Sequence, residues 1–549
     1  MSMNLLSIVC VGVLGAASLL GASSASAKAF YVSQSSSRTT GGASCSDALS
    51  VAWFNNTSSW GTASSQIGPG TTVYLCGMFS GSAGGDLLTV RGSGSAGSPI
   101  TIKFLSGTVL TAPYWAGYGA IHMDNLSHVV VDGGTNGVIQ NTANGTGRAY
   151  RQSSIAVHAR NCTGCTVQNL TIQNLYVRTS ISDLAPTASV NCVYFVASNN
   201  FTINKIICHD ATWALAGEGN NFTLAYSDFY HVDHGLASGA AGTVSNYRIY
   251  NNHFHDFANW DSGSANKYHH DGIHMWGQNG GRFVGGAIYN NTFDGDFGVN
   301  ITAHIYLQDS VSGVAVYNNV FVTPTTRTIN SVWLQAASTS LPGGPASGNS
   351  VYNNSINAGG RRAGAPLVAN NQFLFTAVNN ILAGGLSDIS VQGGGSRSVT
   401  GINNNIYRDL FAEFGDRNTF GFRGLGYYLL SQWQAACRCD SASKLITSAQ
   451  TTAFSIATET ATTVAGTNLT ATVDVNGAMG ADAAVADAVN LSVVTKETTK
   501  DPGLDLLYTV GEGNGINLTD IASDGLAPLA FDKNGVQRPV SGPWNVGPF

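Results

Sequence analysis

The chain has 549 residues, of which 43% are apolar and 10% charged, enough to bury a large core and too apolar for intrinsic disorder. Its formal charge is −6 and no Lys/Arg cluster stands out that could neutralise a run of phosphates, so nucleic acid is not an expected partner. The 66 glycines, with abundant Ser, Thr and Asn, favour tight turns between short strands over long helices.

An apolar run from Leu5 to Leu20 followed by Ala25-Ser26-Ala27 reads as a signal peptide over residues 1–27, cleaved before Lys28. The run is short for a bilayer span, so the mature chain is expected outside the cytoplasm, extracellular or periplasmic, with no membrane association. Cleavage removes Cys10 and leaves Cys45, Cys76, Cys162, Cys165, Cys192, Cys208, Cys437 and Cys439. Even numbers of cysteines in an oxidising compartment favour disulfides. Cys45 and Cys76 share the N-terminal region and are expected to pair, with the others joined locally. Cys162 and Cys165 have the spacing of half a zinc site, which Cys192 and Cys208 do not complete.

From about residue 166 one theme recurs: an aliphatic residue, often an Asn pair, then another apolar residue, as in YRIYNNHF, GAIYNNTF, VAVYNNVF and NSVYNNSI. With the aliphatic position as register, Ile203, Leu224, Ile249, Ile288, Val316, Val351, Val378 and Ile402 recur at intervals of 21 to 39 residues. A unit of that size cannot bury its apolar face alone and must stack on its neighbours. The fold class expected is all-β, a right-handed parallel β-helix of about nine to eleven coils, with an N-terminal cap and a less regular C-terminal region. Residues 28–120 form the cap and first coils, 121–410 the helix core and 411–549 the C-terminal coils and capping region. FYVS, GPGTTVYLCG and SGSAGSPITIKF, in residues 30 to 104, resemble the N-terminal segment of secreted proteins of the pectate-lyase-like superfamily. That resemblance implies fold and leaves activity open. The closing DKNGVQRPVSGPWNVGPF resembles the terminal segment of bacterial β-helix proteins and is expected against the last coils.

Each coil carries a second strand, including DGIHMWG, HIYLQD and SVWLQA, whose faces follow from alternation. Ile273, Met275, Ile305, Leu307, Val332 and Leu334 should point in. His274, Trp276, His304, Tyr306, Gln308, Trp333 and Gln335 should point out, with Asp233 and His234 on the preceding coil and Tyr194 further along the row. The long segment between Phe257 and Tyr268 delivers Trp260, Asp261 and Lys267 to the same region. HHDGIH is similar to the coil of polygalacturonase-like glycosidases that places an acid before Gly-Ile, but the next coil, ITAHIYLQ, lacks their adjacent acidic pair.

An extended polysaccharide is therefore the expected partner, bound by a monomer through Tyr194, Asp233, His234, Trp276, His304, Gln308, Trp333 and Gln335. β-Elimination of a uronate polymer is the favoured chemistry, with His270 or His274 as base, Tyr306 as proton donor and Lys267 neutralising the carboxylate. Asp271 would orient an imidazole or hold Ca²⁺. A glycoside hydrolase, a uronate C5-epimerase and a non-catalytic glycan-binding surface protein remain the alternatives.

Overall fold

The computed structural model describes residues 28–446 apart from 184–189, 264–267, 325, 328, 339, 360–363, 394–400, 409–419, 424 and 428, together with 517–518, 527–544 and 548. The expected signal peptide and nearly all of the Ala/Thr-rich stretch after 440 lie outside the described residues. Short strands pair in parallel with strands one coil away, which is a right-handed parallel β-helix. Ala29–Ser33, Thr72–Leu75 and Ile100–Phe104 are already rungs of the same ladder that continues through Val129–Asn141. The solenoid therefore begins well before the Asn-rich repeat. Among the described residues no helix is long and apolar enough to cross a membrane.

Stacking follows the expected register along Ile203, Leu224, Ile249, Ile288, Val316 and Val351, all of which are buried. One position differs. Ala377, not Val378, continues the column to Ile402, and Val378 stacks on Tyr352 instead. The Asn pairs divide their work. The first of each pair, at Asn251, Asn290, Asn318, Asn353, Asn379 and Asn404, turns the chain with φ between 51° and 59°, a region that asparagine tolerates better than other residues with a Cβ. The second is buried at the corner, and Asn252, Asn291, Asn319, Asn354, Asn380 and Asn405 form a continuous ladder. Each Oδ1 accepts the backbone N–H and the Nδ2–H of the asparagine one coil before it, at 2.9–3.1 Å.

Inside, Phe229, Phe254, Phe293 and Phe321 stack with ring centroids 4.8–5.0 Å apart. Outside, Tyr250, Tyr289 and Tyr317 stack at 4.9 and 5.0 Å. The C-terminal segment lies on this outer ladder rather than at the end of the solenoid, a correction to the expected placement. Leu529 and Trp544 pack with Tyr289, Tyr317 and Tyr352, Lys533 donates to the Asn290 carbonyl and Arg538 to Asn318 Oδ1. The tyrosine ladder supplies an apolar strip too wide to leave in water, and the turning Asn290 and Asn318 beside it supply the oxygens that accept from these two cations. All four disulfides form as expected, with Cys45 joined to Cys76 and the rest local, at Cys162–Cys165, Cys192–Cys208 and Cys437–Cys439.

Asn319→Ala removes the acceptor of the Asn291 N–H and Nδ2–H and breaks the ladder in a dry corner. Chemical denaturation should show a loss of about 2–3 kcal/mol, the scale for orphaning buried hydrogen-bonding groups.

Candidate functional site

Strand Asp228–Ala240 runs along one face beside His253–His255, then turns a corner and pairs with His270–Gly277 on the next. Ile301–Gln308 and Asn330–Gln335 continue that second face. In this register His274 follows Ala237 and precedes Tyr306, which precedes Trp333. Ile273, Met275, Ile305, Leu307, Val332 and Leu334 are buried, as alternation requires. Trp276, Gln308, Trp333 and Gln335 are half-buried around the more enclosed His274 and Tyr306. The Tyr306 hydroxyl donates to Gln335 Oε1. Ala237 is covered, because Trp276 packs 4.6 Å from His274 and 6.5 Å from Trp213.

Alternation breaks at the corner, and two expectations change there. A Cβ on Gly235 would meet the Phe254 ring at 2.5 Å, and one on Gly272 the Phe293 ring at 2.8 Å, so both glycines face inward immediately before inward Leu236 and Ile273. Two consecutive inward positions turn Asp271 outward. On the following coil the position opposite Gly272 is His304, which therefore enters the core. Its ring lies 4.6 Å from Phe297 and 5.6 Å from Phe293, burial pushes its pKa down to about 3, and its Nδ1 has no hydrogen-bond partner. His304 is thus not part of the outer patch.

The second change concerns His270, expected as a base. It is completely buried, with Nδ1 2.9 Å from Asp233 Oδ1 and Nε2 3.0 Å from Asp261 Oδ1. Burial lowers its pKa, but the two carboxylates outweigh this and raise it above the ordinary imidazole value. Asp233, expected to touch substrate, is instead enclosed between His270 and His234, whose Nδ1 lies 3.0 Å from Asp233 Oδ2. Burial penalises the Asp233 carboxylate, yet both imidazoles keep it well below the usual range. His234 is likewise raised to about 10, its burial outweighed by Asp233 and Asp271.

Asp271 is the centre of the cluster. Its Oδ1 accepts the Ala303 N–H at 3.0 Å, while His234 Nε2, His274 Nδ1 and His269 Nε2 lie 3.3, 3.5 and 3.7 Å from Oδ2. Burial raises the Asp271 pKa to about 6. Burial and the charge on His234 push His274 down to about 3 and His269 to about 4. His274 Nε2 donates to Gln308 Oε1 at 3.0 Å, which leaves only Nδ1, turned towards Asp271, for the role of base expected of it. His269 belongs to the histidine run HHDGIH, and the sequence assigns it no role. It precedes the strand, where periodicity gives no direction, and its side chain is 42% exposed beside Asp271. The only sequence signal was its adjacency to His270 and Asp271.

Lys267 lies outside the described residues. Residues 258–263 of the insertion are held by several hydrogen bonds. Trp260 is buried and donates to the His231 carbonyl, and Asp261 accepts the Val299 and Asn300 N–H groups as well as bonding His270. Buried Arg178 packs against Trp260 and Tyr268 and donates to the Asn259 and Asp261 carbonyls. Tyr194 stands three rungs before His274, about 14 Å away at strand spacing, and stacks on His158 at 4.9 Å.

Among the described residues, three groups of side chains could hold a metal ion. His234, His269, Asp271 and His274 form one, His122, Asp124 and His158 a second, and Asp228, His253 and His255 a third. In each, the ligand atoms lie within 4.8 Å of one another.

No protein-family model matches the chain, and no curated protein matches it. Among solved structures it is similar to a GH136 lacto-N-biosidase from Eubacterium ramulus, at 12% identity and a TM-score of 0.44 over 76% of this chain and 66% of that one. It is also similar to PfbA, a surface adhesin of Streptococcus pneumoniae, at 13% identity and 0.42 over 69% and 92%. A PL6 family alginate lyase, AlyGC, gives 14% and 0.34 over 67% and 53%. The chain spans two thirds or less of the two enzymes' lengths, and likenesses of this degree assign neither a family nor an activity.

His304→Leu should fold and match or exceed the parent in stability at neutral pH, since it removes a buried unpaired nitrogen. The folded pKa near 3 lies below the ordinary 6.5, so between these values the unfolded state binds the extra proton and stability falls with falling pH. Melting temperatures of parent and variant should therefore diverge as pH drops from 6.5 towards 3, the variant losing less.

Proposed function

We propose that the protein is an exported carbohydrate-active enzyme that cleaves an extended uronate-containing polysaccharide by β-elimination. The observation that carries this reading is the Asp233–His234–Asp271–His274 cluster, enclosed in the solenoid wall yet open through His269 to a rim of Trp213, Trp276, Trp333, Gln308 and Gln335. Glycan binding alone would need only the rim, because aromatic faces and amide edges suffice for sugar rings. Burying two carboxylates among four imidazoles is costly unless the arrangement serves chemistry.

Elimination needs the substrate carboxylate neutralised, a base for the C5 proton and an acid for the leaving oxygen. His269 is the exposed imidazole of the cluster and takes the C5 proton. The electron pair left behind forms the C4–C5 double bond as the C4–O bond breaks. Tyr306 gives its proton to the departing oxygen. Burial, with Asp271 nearby, raises the Tyr306 pKa and keeps that proton in place at neutral pH. Proton abstraction alone, followed by return to the opposite face, would be epimerisation. The four disulfides suit export into an oxidising compartment.

A panel of acidic and neutral polysaccharides, followed by ultraviolet absorbance of unsaturated ends and by total reducing ends, tests the reading. An acidic polymer should yield both signals together. His269→Ala and Tyr306→Phe should each lower turnover by about 10²-fold or more while leaving the circular dichroism spectrum unchanged. Reducing ends without unsaturation would replace the lyase by a hydrolase, and tight binding without either product would leave a glycan-binding protein.

A further inference from the structure

Three ring nitrogens converge on one oxygen at the centre of the patch. His234 Nε2, His274 Nδ1 and His269 Nε2 lie 3.3, 3.5 and 3.7 Å from Asp271 Oδ2. One carboxylate oxygen has no room for three such bonds, and these contacts lie beyond normal hydrogen-bond lengths. Asp271 Oδ2 is in fact fully buried without a hydrogen-bond partner, although its sister oxygen makes a good bond to Ala303. The separations are those of atoms sharing an ion: ligands about 2.1 Å from a tetrahedral centre stand about 3.4 Å apart.

The outer contacts point the same way. His234 uses Nδ1 on Asp233 and His274 uses Nε2 on Gln308, both at 3.0 Å, and each bond leaves the other ring nitrogen aimed at Asp271. A carboxylate or amide behind each imidazole is how proteins fix the tautomer and direction of metal-ligating histidines. The other two groups lack a buried carboxylate oxygen left without a hydrogen bond. His158 Nδ1 bonds Asp124 Oδ1 at 2.8 Å, and His122 Nε2 lies 3.2 Å from Oδ2 of the same carboxylate without a hydrogen bond. His253 and His255 share Asp228 and are each also bonded to a second carboxylate, Asp294 and Asp256. In the third group the shared Asp228 Oδ1 is itself hydrogen-bonded to His255.

We propose that His234 Nε2, Asp271 Oδ2 and His274 Nδ1 bind a divalent transition-metal ion, with its open positions on the side of His269 and Tyr306. Two imidazoles and one carboxylate form a set suited to Mn²⁺, Fe²⁺, Co²⁺ or Zn²⁺, whereas Ca²⁺ takes six to eight oxygens. The carboxylates of Asp233 and Asp271 on either side of His234 favour a cation at that nitrogen, whether proton or metal. The ion's role rests on the lyase reading above: it neutralises the substrate carboxylate, and His269 remains beside it as the base. Its presence does not depend on that reading.

Purified protein is stripped with chelator and dialysed in turn against Zn²⁺, Mn²⁺, Co²⁺ and Ca²⁺, with bound metal measured by elemental analysis and Co²⁺ also by its visible spectrum. One equivalent of at least one transition metal per chain is expected, with no stoichiometric Ca²⁺. Asp271→Asn and His274→Ala should abolish that equivalent, Gln308→Ala should weaken it by about 10–100-fold as the outer partner of His274, and His269→Ala and Asp124→Asn should keep it. Gln308→Ala decides the question if the ligand variants fail to fold. Stoichiometric Ca²⁺ alone, no binding by the parent, or binding unchanged in Gln308→Ala and the ligand variants would overturn the site. Bound metal with no unsaturated product would overturn the lyase and leave the site standing.

Discussion

Coils that bury only one face must agree in register with their neighbours, and the buried asparagine ladder enforces this agreement. Each amide takes two hydrogen bonds from the coil before it and donates to the coil after it. A slip of one residue would leave both sets unmade in a corner with no water, and would also turn every aliphatic outward. Insertions between rungs are tolerated because they leave from turns and do not disturb the ladder. That is why the coil spanning Asn252 and Asn291 can be the longest along the asparagine ladder and still lie in register. The site depends on this directly, since its residues come from five coils and meet only at matched rungs.

On that scaffold the cluster is a chain of alternating charge. Asp261, His270, Asp233, His234 and Asp271 follow one another at 2.9–3.3 Å, each imidazole between two carboxylates. Every buried charge has an opposite neighbour, which is the condition for keeping it folded in place. The chain ends at Asp271 Oδ2, the one member without a partner, next to the exposed His269. The insertion supplies the other end through Asp261, and buried Arg178 locks that loop from beneath. The loop therefore acts as structural support for the charge chain and its exposed end.

The C-terminal segment shows the same economy. The outer tyrosine stack would be an exposed apolar strip, and the segment around Leu529 and Trp544 covers it. Its two cations, Lys533 and Arg538, find the carbonyl of Asn290 and the side chain of Asn318, groups left over from turning the chain. Sequence resemblance placed this segment against the helix, but only the fold identifies which coils it meets.

The sequence by itself determined the solenoid, its register at most rungs and the outward row of His274, Trp276, Tyr306, Gln308, Trp333 and Gln335. Each of these follows from a period of two along a strand combined with a repeat that must stack. It also determined the disulfide between Cys45 and Cys76, since neither had a nearer partner. Tertiary structure decided what happens where the period fails. At the corner Gly272 and Ile273 both face inward, because the phenylalanine stack fills the interior and a glycine can lie against it. That single shift sends Asp271 out, His304 in, and His270 into a clamp whose second half, Asp261, comes from a loop. His269 stands before the strand begins, where no periodicity exists to aim it, so its place beside Asp271 follows only from the path of the chain around that corner.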